Sequence, residues 1–506
     1  MRHRFSRINY ILNSIGALLE ALGFFVLLPI IPVIIYWGDR GDGLVTLFSF
    51  LFPSVISLLA GKILRLFFRS EDADMTGAML VCGLSWLAVS FIGALPFVFS
   101  IGSNFLNAYF EAMSGFTATG ISVYSNIEYM PRSIIFWRAL TQWVGGIGIL
   151  SFFLLIRTRG SGTHFIASAE SHKIDSSRIV PGIAHTLKIL WSIYAGLTIV
   201  AIAVLCFEGM SGFDSVCHSL TATATGGFSP YDSSIAHYRL SGHPNYIMIE
   251  YTIAVIMLLG GMNFLVLFRL LNFDIKALWD NIEIRTWWLL LSGFCSLIML
   301  DHLYRNGILN QLMAGNFEFS ELEKIFRYTI FQVIAIITTA GFKTRDIASD
   351  FFPAFSKQLF LIMMIIGGCV GSTSGGIKVL RISILWKLMK RELYKLRVSS
   401  RTVTPIVIDG KIVSSDESHR IAALFFTWIA LLGIGGGITA FFSDLDSFKS
   451  FSGMFSALGN VGPCFISAKD MIGLGVVTKC TYIFGMLAGR LEIIPVFLLF
   501  SRKAWR

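Results

Sequence analysis

Long apolar stretches separated by short polar or glycine-rich segments dominate the chain, at 8–36, 44–68, 78–100, 131–156, 185–207, 245–271, 286–303, 354–390, 420–443 and 473–501. A helix needs about 20 apolar residues to cross the roughly 30 Å hydrocarbon core of a bilayer. The pattern therefore predicts an all-α polytopic membrane protein with about ten transmembrane helices. Residues 1–10 are basic and run into the first stretch without a small-residue cleavage motif, so that stretch reads as a retained helix and not as a cleaved signal peptide.

Connections between the stretches alternate in charge. Arg65 and Arg69, then Arg157, Arg159, Lys173, Arg178 and Lys188, then Arg269, Lys276 and Arg285 fall in alternate loops, which places those loops in the cytoplasm. The densest block holds Lys378, Arg381, Lys387, Lys390, Arg391, Lys395, Arg397 and Arg401 against Glu392. Asp39, Asp42, Glu208, Asp214, Asp232, Glu318, Glu321 and Glu323 occupy the opposite loops. An even number of spans then puts both termini in the cytoplasm, in agreement with Arg502, Lys503 and Arg506.

The outer loops are too long and too apolar for simple connections, and they repeat. Each carries a short helical stretch and then a Thr/Gly-rich turn: Thr117-Ala118-Thr119-Gly120, Ala224-Thr225-Gly226-Gly227, Thr338-Thr339-Ala340-Gly341 and the more divergent Gly459-Asn460-Val461-Gly462. The last glycines are separated by 107 residues (120 to 227), 114 (227 to 341) and 121 (341 to 462). A small pair follows each turn, at Gly145-Gly146, Gly260-Gly261, Gly367-Gly368 and Ala488-Gly489, and close helix packing would also account for such pairs. The spacing divides the chain into two N-terminal helices (1–74) and four helix-turn-helix units, 75–180, 181–284, 285–415 and 416–506.

Composition narrows the chemistry. Of 506 residues, 55% are hydrophobic and 14% charged, whereas soluble domains carry about 25% charged residues. The net charge of +10 would point to nucleic acid in a soluble chain; here it reports cytoplasmic loops, and no nucleic-acid partner is expected. Seven scattered cysteines and nine histidines show no disulfide or metal-ligand spacing. No paired catalytic carboxylates or nucleophile-base spacing support a membrane-embedded enzyme.

Non-helical backbone cannot face lipid, so turns at membrane depth must line an enclosed or watery cavity. Four turns meeting on one axis can aim carbonyl oxygens at a desolvated monovalent cation, with glycine supplying the necessary φ values. The preceding helices would point their partially negative C-terminal ends at the same centre, each capped outside by Ser103 or Asn104, Ser211 or Asp214, Ser320 with Glu323, and Asp446 or Ser447. The turns contain no carboxylates, which argues against a divalent ion.

Two further features lie deeper. Gly367-Gly368-Cys369-Val370-Gly371-Ser372-Thr373-Ser374-Gly375-Gly376 interrupts the second span of the third unit, and a helix should not continue through it. It reads either as a kinked helix or as a flexible loop beneath the turns. Its likeness to a phosphate-binding loop is superficial, because Ile377 separates Gly376 from Lys378 and no βα unit surrounds it. Arg490 lies within the last apolar span and needs an internal partner: carbonyls of that loop, or an acid such as Glu492. Glu20, Glu111 and Glu250 are weaker signals for capping, packing or proton linkage.

On these turns and their spacing the chain resembles the membrane subunits of Trk/Ktr/HKT-type potassium uptake systems. The resemblance implies a fourfold helix-pore loop-helix repeat around one central pore, with two extra N-terminal helices as in the Trk branch. It implies a selectivity filter with one glycine per repeat at Gly120, Gly227, Gly341 and Gly462, and potassium as substrate, since a serine at the first position is associated with sodium. It also implies that the loop around Gly371–Gly376 and Arg490 form an intramembrane gate. A homodimer in a prokaryotic inner membrane, on a separate nucleotide-binding regulatory subunit with Rossmann-like domains, follows from the same resemblance; no covalent cofactor is implied. Channel-like uptake and a symporter coupled to protons or sodium both remain open, with Glu111 and Glu250 as the groups a symporter would use.

Overall fold

The computed structural model describes residues 2–68, 74–148, 183–305, 319–398 and 404–505. Arg69, Arg157, Arg159, Lys173, Arg178, Glu318, Arg401 and Arg506, and the last part of the 131–156 stretch, lie outside the described residues.

Two helices open the chain, α1 (Arg2–Val26), continued by Ile30–Ile35, and α2 (Leu44–Phe67). Small residues bring them close: Ser54 and Ser57 donate to the Gly23 and Leu19 carbonyls at 2.7 Å, the packing mode favoured where lipid supplies no hydrophobic drive. Glu20 of α1 is tied across this contact to Arg65.

Four sets of helices follow. The first is α3 (Met75–Ile101), α4 (Phe105–Phe116) and α5 (Arg132–Gly146); the second is α6 (Ile183–Phe207), α7 (Gly212–Thr223), α8 (Tyr246–Gly261) and α9 (Phe264–Leu271). The third is α10 (Ile282–Arg305), α11 (Phe319–Ile337), α12 (Ala354–Ile365) and α13 (Val379–Lys395). A hairpin, β1 (Ile406–Ile408) against β2 (Lys411–Val413), leads to the fourth: α14 (Ser415–Phe442), α15 (Ser447–Gly459) and α16 (Val476–Arg490).

The middle helices α4 and α7 have 12 residues each, about 18 Å at 1.5 Å rise and so roughly half a bilayer. Three N-terminal ends are capped by residues the sequence suggests, with Asn104 accepting from Leu106, Ser211 from Asp214, and Asp446 from Lys449 on α15, while Ser320 and Glu323 lie within α11. Six spans among the described residues have the length and apolarity to cross a membrane without a sharp bend. The spans that follow the turns behave differently. α8 and α9 are bent by 110° at a short break, the third span is open between Ile365 and Val379, and α16 stops at Arg490 before two residues of positive φ, Glu492 and Ile493. The sequence predicts only the second of these breaks; the bend after Gly261 is hidden because Gly260-Gly261 reads equally well as a packing pair. Trp143, Trp191, Trp287 and Trp288 read in the sequence as interfacial anchors; Trp287 is instead fully buried, Trp143 and Trp191 pack with Tyr194 at centroid distances of 5.3–5.9 Å, and Trp288 donates to the Leu278 carbonyl at 3.1 Å.

Candidate functional site

The four Thr/Gly turns share one backbone design. In the first, the Ala118 amide donates to the Gly115 carbonyl and the Thr119 amide to the Ser114 carbonyl, both at 2.9 Å. The same pair of bonds recurs as Thr225 to Ala222 with Gly226 to Thr221, Thr339 to Ile336 with Ala340 to Ala335, and Asn460 to Ala457 with Val461 to Ser456. This is the Schellman cap, which needs a left-handed residue just past the helix. Here that residue is Ala118 (φ 51°), Thr225 (49°), Thr339 (56°) and Asn460 (53°). Asparagine tolerates the conformation; alanine and β-branched threonine pay about 1–2 kcal/mol for it. Backbone strain repeated at matched positions marks a site where geometry matters more than stability.

Two residues later each turn reaches its glycine, again at positive φ: Gly120 84°, Gly227 79°, Gly341 76° and Gly462 101°. A Cβ on Gly120 would collide with the Gly226 carbonyl, one on Gly227 with the Ala340 carbonyl, and one on Gly341 with the Val461 carbonyl. On Gly462 it would lie 2.9 Å from the Thr119 carbonyl oxygen. Each glycine therefore abuts the carbonyl just before the next glycine, in chain order, and the fourth abuts the first. The contacts close into a ring in which no position has room for a side chain.

Supports hold the ring from outside. Gln142 on α5 donates to the Gly226 carbonyl at 2.6 Å and accepts from the Phe228 amide at 3.0 Å. Asn460 donates to Thr119 Oγ1 at 2.8 Å and the Met486 carbonyl at 3.0 Å, and Ser456 Oγ accepts from the Gly462 amide at 3.0 Å. Sequence reasoning missed Gln142 and Ser456, since a lone amide or hydroxyl on a helix carries no local signature. The small pairs act here too. A Cβ on Gly145 or Gly489 would strike the Phe116 or Leu458 carbonyl, and one on Gly260 would lie 2.9 Å from that of Thr223. Each of those carbonyls belongs to the residue four before a turn glycine, so the structure aligns Gly489, not Ala488, with Gly145 and Gly260. Arg490 thereby occupies the place held by Gly146 and Gly261.

The glycine-rich segment 366–378 is an ordered loop against the ring and not a kinked helix. Ile366 and Ile377 form an isolated parallel bridge. Cys369 and Thr373 donate their amides to the Gly261 and Gly260 carbonyls at 3.0 and 3.2 Å, and Gly371 accepts from the Phe264 amide at 3.1 Å. The loop thus rests in the bend between α8 and α9. Thr373 Oγ1 lies 2.9 Å from Thr225 Oγ1, and the Gly375 amide donates to Thr339 Oγ1 at 2.8 Å. Gly375 also faces Asn460, whose Cβ would be 2.6 Å from an added methyl. Gly367, Gly368 and Gly376 pack where the two limbs of the loop meet, Gly376 at φ 65°, while Ser372 and Ser374 share a 2.6 Å hydroxyl contact.

Arg490 completes this layer. Its guanidinium donates to the Thr373 carbonyl at 2.8 Å and to the Gly145 and Gly146 carbonyls at 2.6 and 2.5 Å, so one cation joins the loop to the first set. Glu492 pairs with Arg381 on α13 at 2.5 Å. The other flagged acids have cationic partners as well: Glu111 bonds Arg138 at 2.9 Å with both side chains buried, and Glu250 is paired with Arg327. No group of three potential His, Cys, Asp or Glu metal ligands occurs among the described residues.

A cation transport protein profile, TrkH, matches residues 48–505. The chain belongs to the TrkH family of cation transport proteins. It is 32% identical over 507 residues to the Trk system potassium uptake protein TrkH of Escherichia coli strain K12, covering 98% of this chain and 99% of that one. An uncharacterized cation transporter of Methanocaldococcus jannaschii is 28% identical over 98% of this chain and 95% of its own. The crystal structure of the potassium transporter TrkH from Vibrio parahaemolyticus superposes with a TM-score of 0.81 at 26% identity, covering 99% of this chain and all of that one. Membership makes this a multi-pass membrane transport protein and not an enzyme.

Proposed function

We propose that the chain takes up potassium across the cytoplasmic membrane through a single axial pathway, with the ring of four turns as its selectivity filter. The observation that carries this reading is the closed cycle of glycine-to-carbonyl contacts through Gly120, Gly227, Gly341 and Gly462. Neutral carbonyls on strained, tightly packed turns suit a monovalent cation that has shed its water. The residues of the four turns, from Thr117, Ala224, Thr338 and Gly459 to their last glycines, are the filter. Residues 75–180, 181–284, 285–415 and 416–506 are then four pore repeats behind the two helices of 1–74.

Beneath the filter, the 366–378 loop and Arg490 are the gate. A guanidinium in a low-dielectric passage repels a second cation, and a loop bonded to three sets of helices obstructs the axis. Permeation is channel-like: Glu111 and Glu250, the acids that a proton- or sodium-coupled carrier would call on, are each neutralised by a buried arginine. The basic cytoplasmic segment 378–398 supports docking of a separate nucleotide-binding, Rossmann-like regulatory subunit on a homodimer, with both termini on the same side.

Tracer rubidium uptake into liposomes holding the purified protein tests this. A membrane potential contributes about 2.3 kcal/mol per charge per 100 mV. Uptake driven by potential alone, competed by potassium and poorly by sodium, is expected; a requirement for a sodium or proton gradient would establish coupling instead.

A further inference from the structure

We infer that Glu283 is a positioning residue that staples the 366–378 loop closed, and that the β1–β2 hairpin is its cytoplasmic handle. This rests on the reading of that loop as a gate. Glu283 lies in the first turn of α10 and is 5% exposed. An acid there ordinarily serves its own helix end; this one reaches across to other elements. Its carboxylate accepts from the Val370 amide at 2.6 Å, and the Leu380 amide and the Asn263 side chain lie beside it. One buried group thus holds the start of the loop, close to the first turn of α13 where the loop ends and to the bend between α8 and α9 on which the loop rests. A buried amide left without its acceptor is costly, so the contact resists opening.

The adjoining residue leads to the surface. Asp409, in the hairpin turn at φ 46°, accepts from the Ile282 amide at 3.0 Å. The hairpin is itself fixed to α13: Lys387 donates to the Val407 carbonyl at 2.6 Å, and Ile406, Ile408 and Val413 share an apolar cluster with Ile384, Ile421 and Ile282. The hairpin therefore grips both α13, which leaves the loop, and the turn that carries Glu283. A displacement of the hairpin would shift the staple relative to the loop it holds, through a contiguous path of contacts of the kind that carries coupling between sites.

Rubidium uptake by proteoliposomes of the full chain tests this with four variants and one control. The control, shortening 371–376, must raise uptake if the loop is a gate at all. E283A is expected to raise uptake about tenfold and E283Q, which keeps one acceptor oxygen, about threefold. D409A is expected to raise it about twofold in the wild-type background and not at all on top of E283A, because both act on one element. Wild-type uptake in E283A with a leaking control overturns the staple and leaves the gate reading intact; a control that does not leak overturns the gate reading itself. E283Q leaking as much as E283A overturns the acceptor role, and additive effects of D409A overturn the handle. If E283A does not assemble, D409A on the exposed hairpin still decides: faster amide exchange across 366–376 is expected, and unchanged exchange refutes the link.

Discussion

The ring of turns and the layer beneath it follow opposite rules. In the ring, four segments of different sequence adopt one backbone: a Schellman cap, a left-handed residue and, two positions on, a glycine against its neighbour's carbonyl. In the layer beneath, the same register is held by Gly146 in the first set, by Gly261 at a bend in the second, and by Arg490 in the fourth, while the third set contributes a loop of its own. A site that must present equivalent oxygens to one ion from all sides gains from equivalence. A barrier that opens and closes needs only one element that moves and one partner that holds it. On the proposed reading, selectivity belongs to what the sets share and control to what they do not.

The comparison is broken most severely at a joint of the ring. Gly120→Ser forces a side chain at φ 84° into the Gly226 carbonyl. Left-handed strain and overpacking together predict about a hundredfold loss of potassium over sodium discrimination in competition assays. Next comes the asymmetric layer. Arg490→Ala removes three carbonyl bonds and is expected to raise rubidium uptake about tenfold with selectivity retained. Arg490→Lys keeps the charge without the forked geometry and should fall between the two. The smallest effect probes the seam between the layers: Thr339→Val deletes the acceptor of the Gly375 amide and is expected to raise uptake about threefold, again without loss of selectivity. Sodium entry in either Arg490 variant would show that the two layers are not separable.

Much of this arrangement is legible in the sequence, and the divide has a physical cause. Turn glycines and half-span helices announce themselves because φ above zero and apolar length restrict residue choice, so the spacing of Gly120, Gly227, Gly341 and Gly462 is visible without a structure. The left-handed residues two places earlier are not visible, because Ala118, Thr225 and Thr339 are types that usually avoid that conformation and are held there by the surrounding cap and packing. The bend after Gly261 is concealed by a pair that packing alone would explain. Partners distant in sequence are beyond any local pattern: Glu111 is noticeable as a buried acid, but its pairing with Arg138, Gln142's grip on the second turn, and Arg490's reach to Gly145 depend on how the helices assemble.

The central claim, that four turns hold one monovalent cation, is tested most directly by crystals of the protein grown with thallium in place of potassium. An anomalous peak is expected on the axis, within direct ligand distance of carbonyl oxygens from all four turns, and displaced by potassium but not by sodium. A well-ordered ring with no peak at its centre, or a peak bound at Glu111 or Glu250 instead, would contradict it.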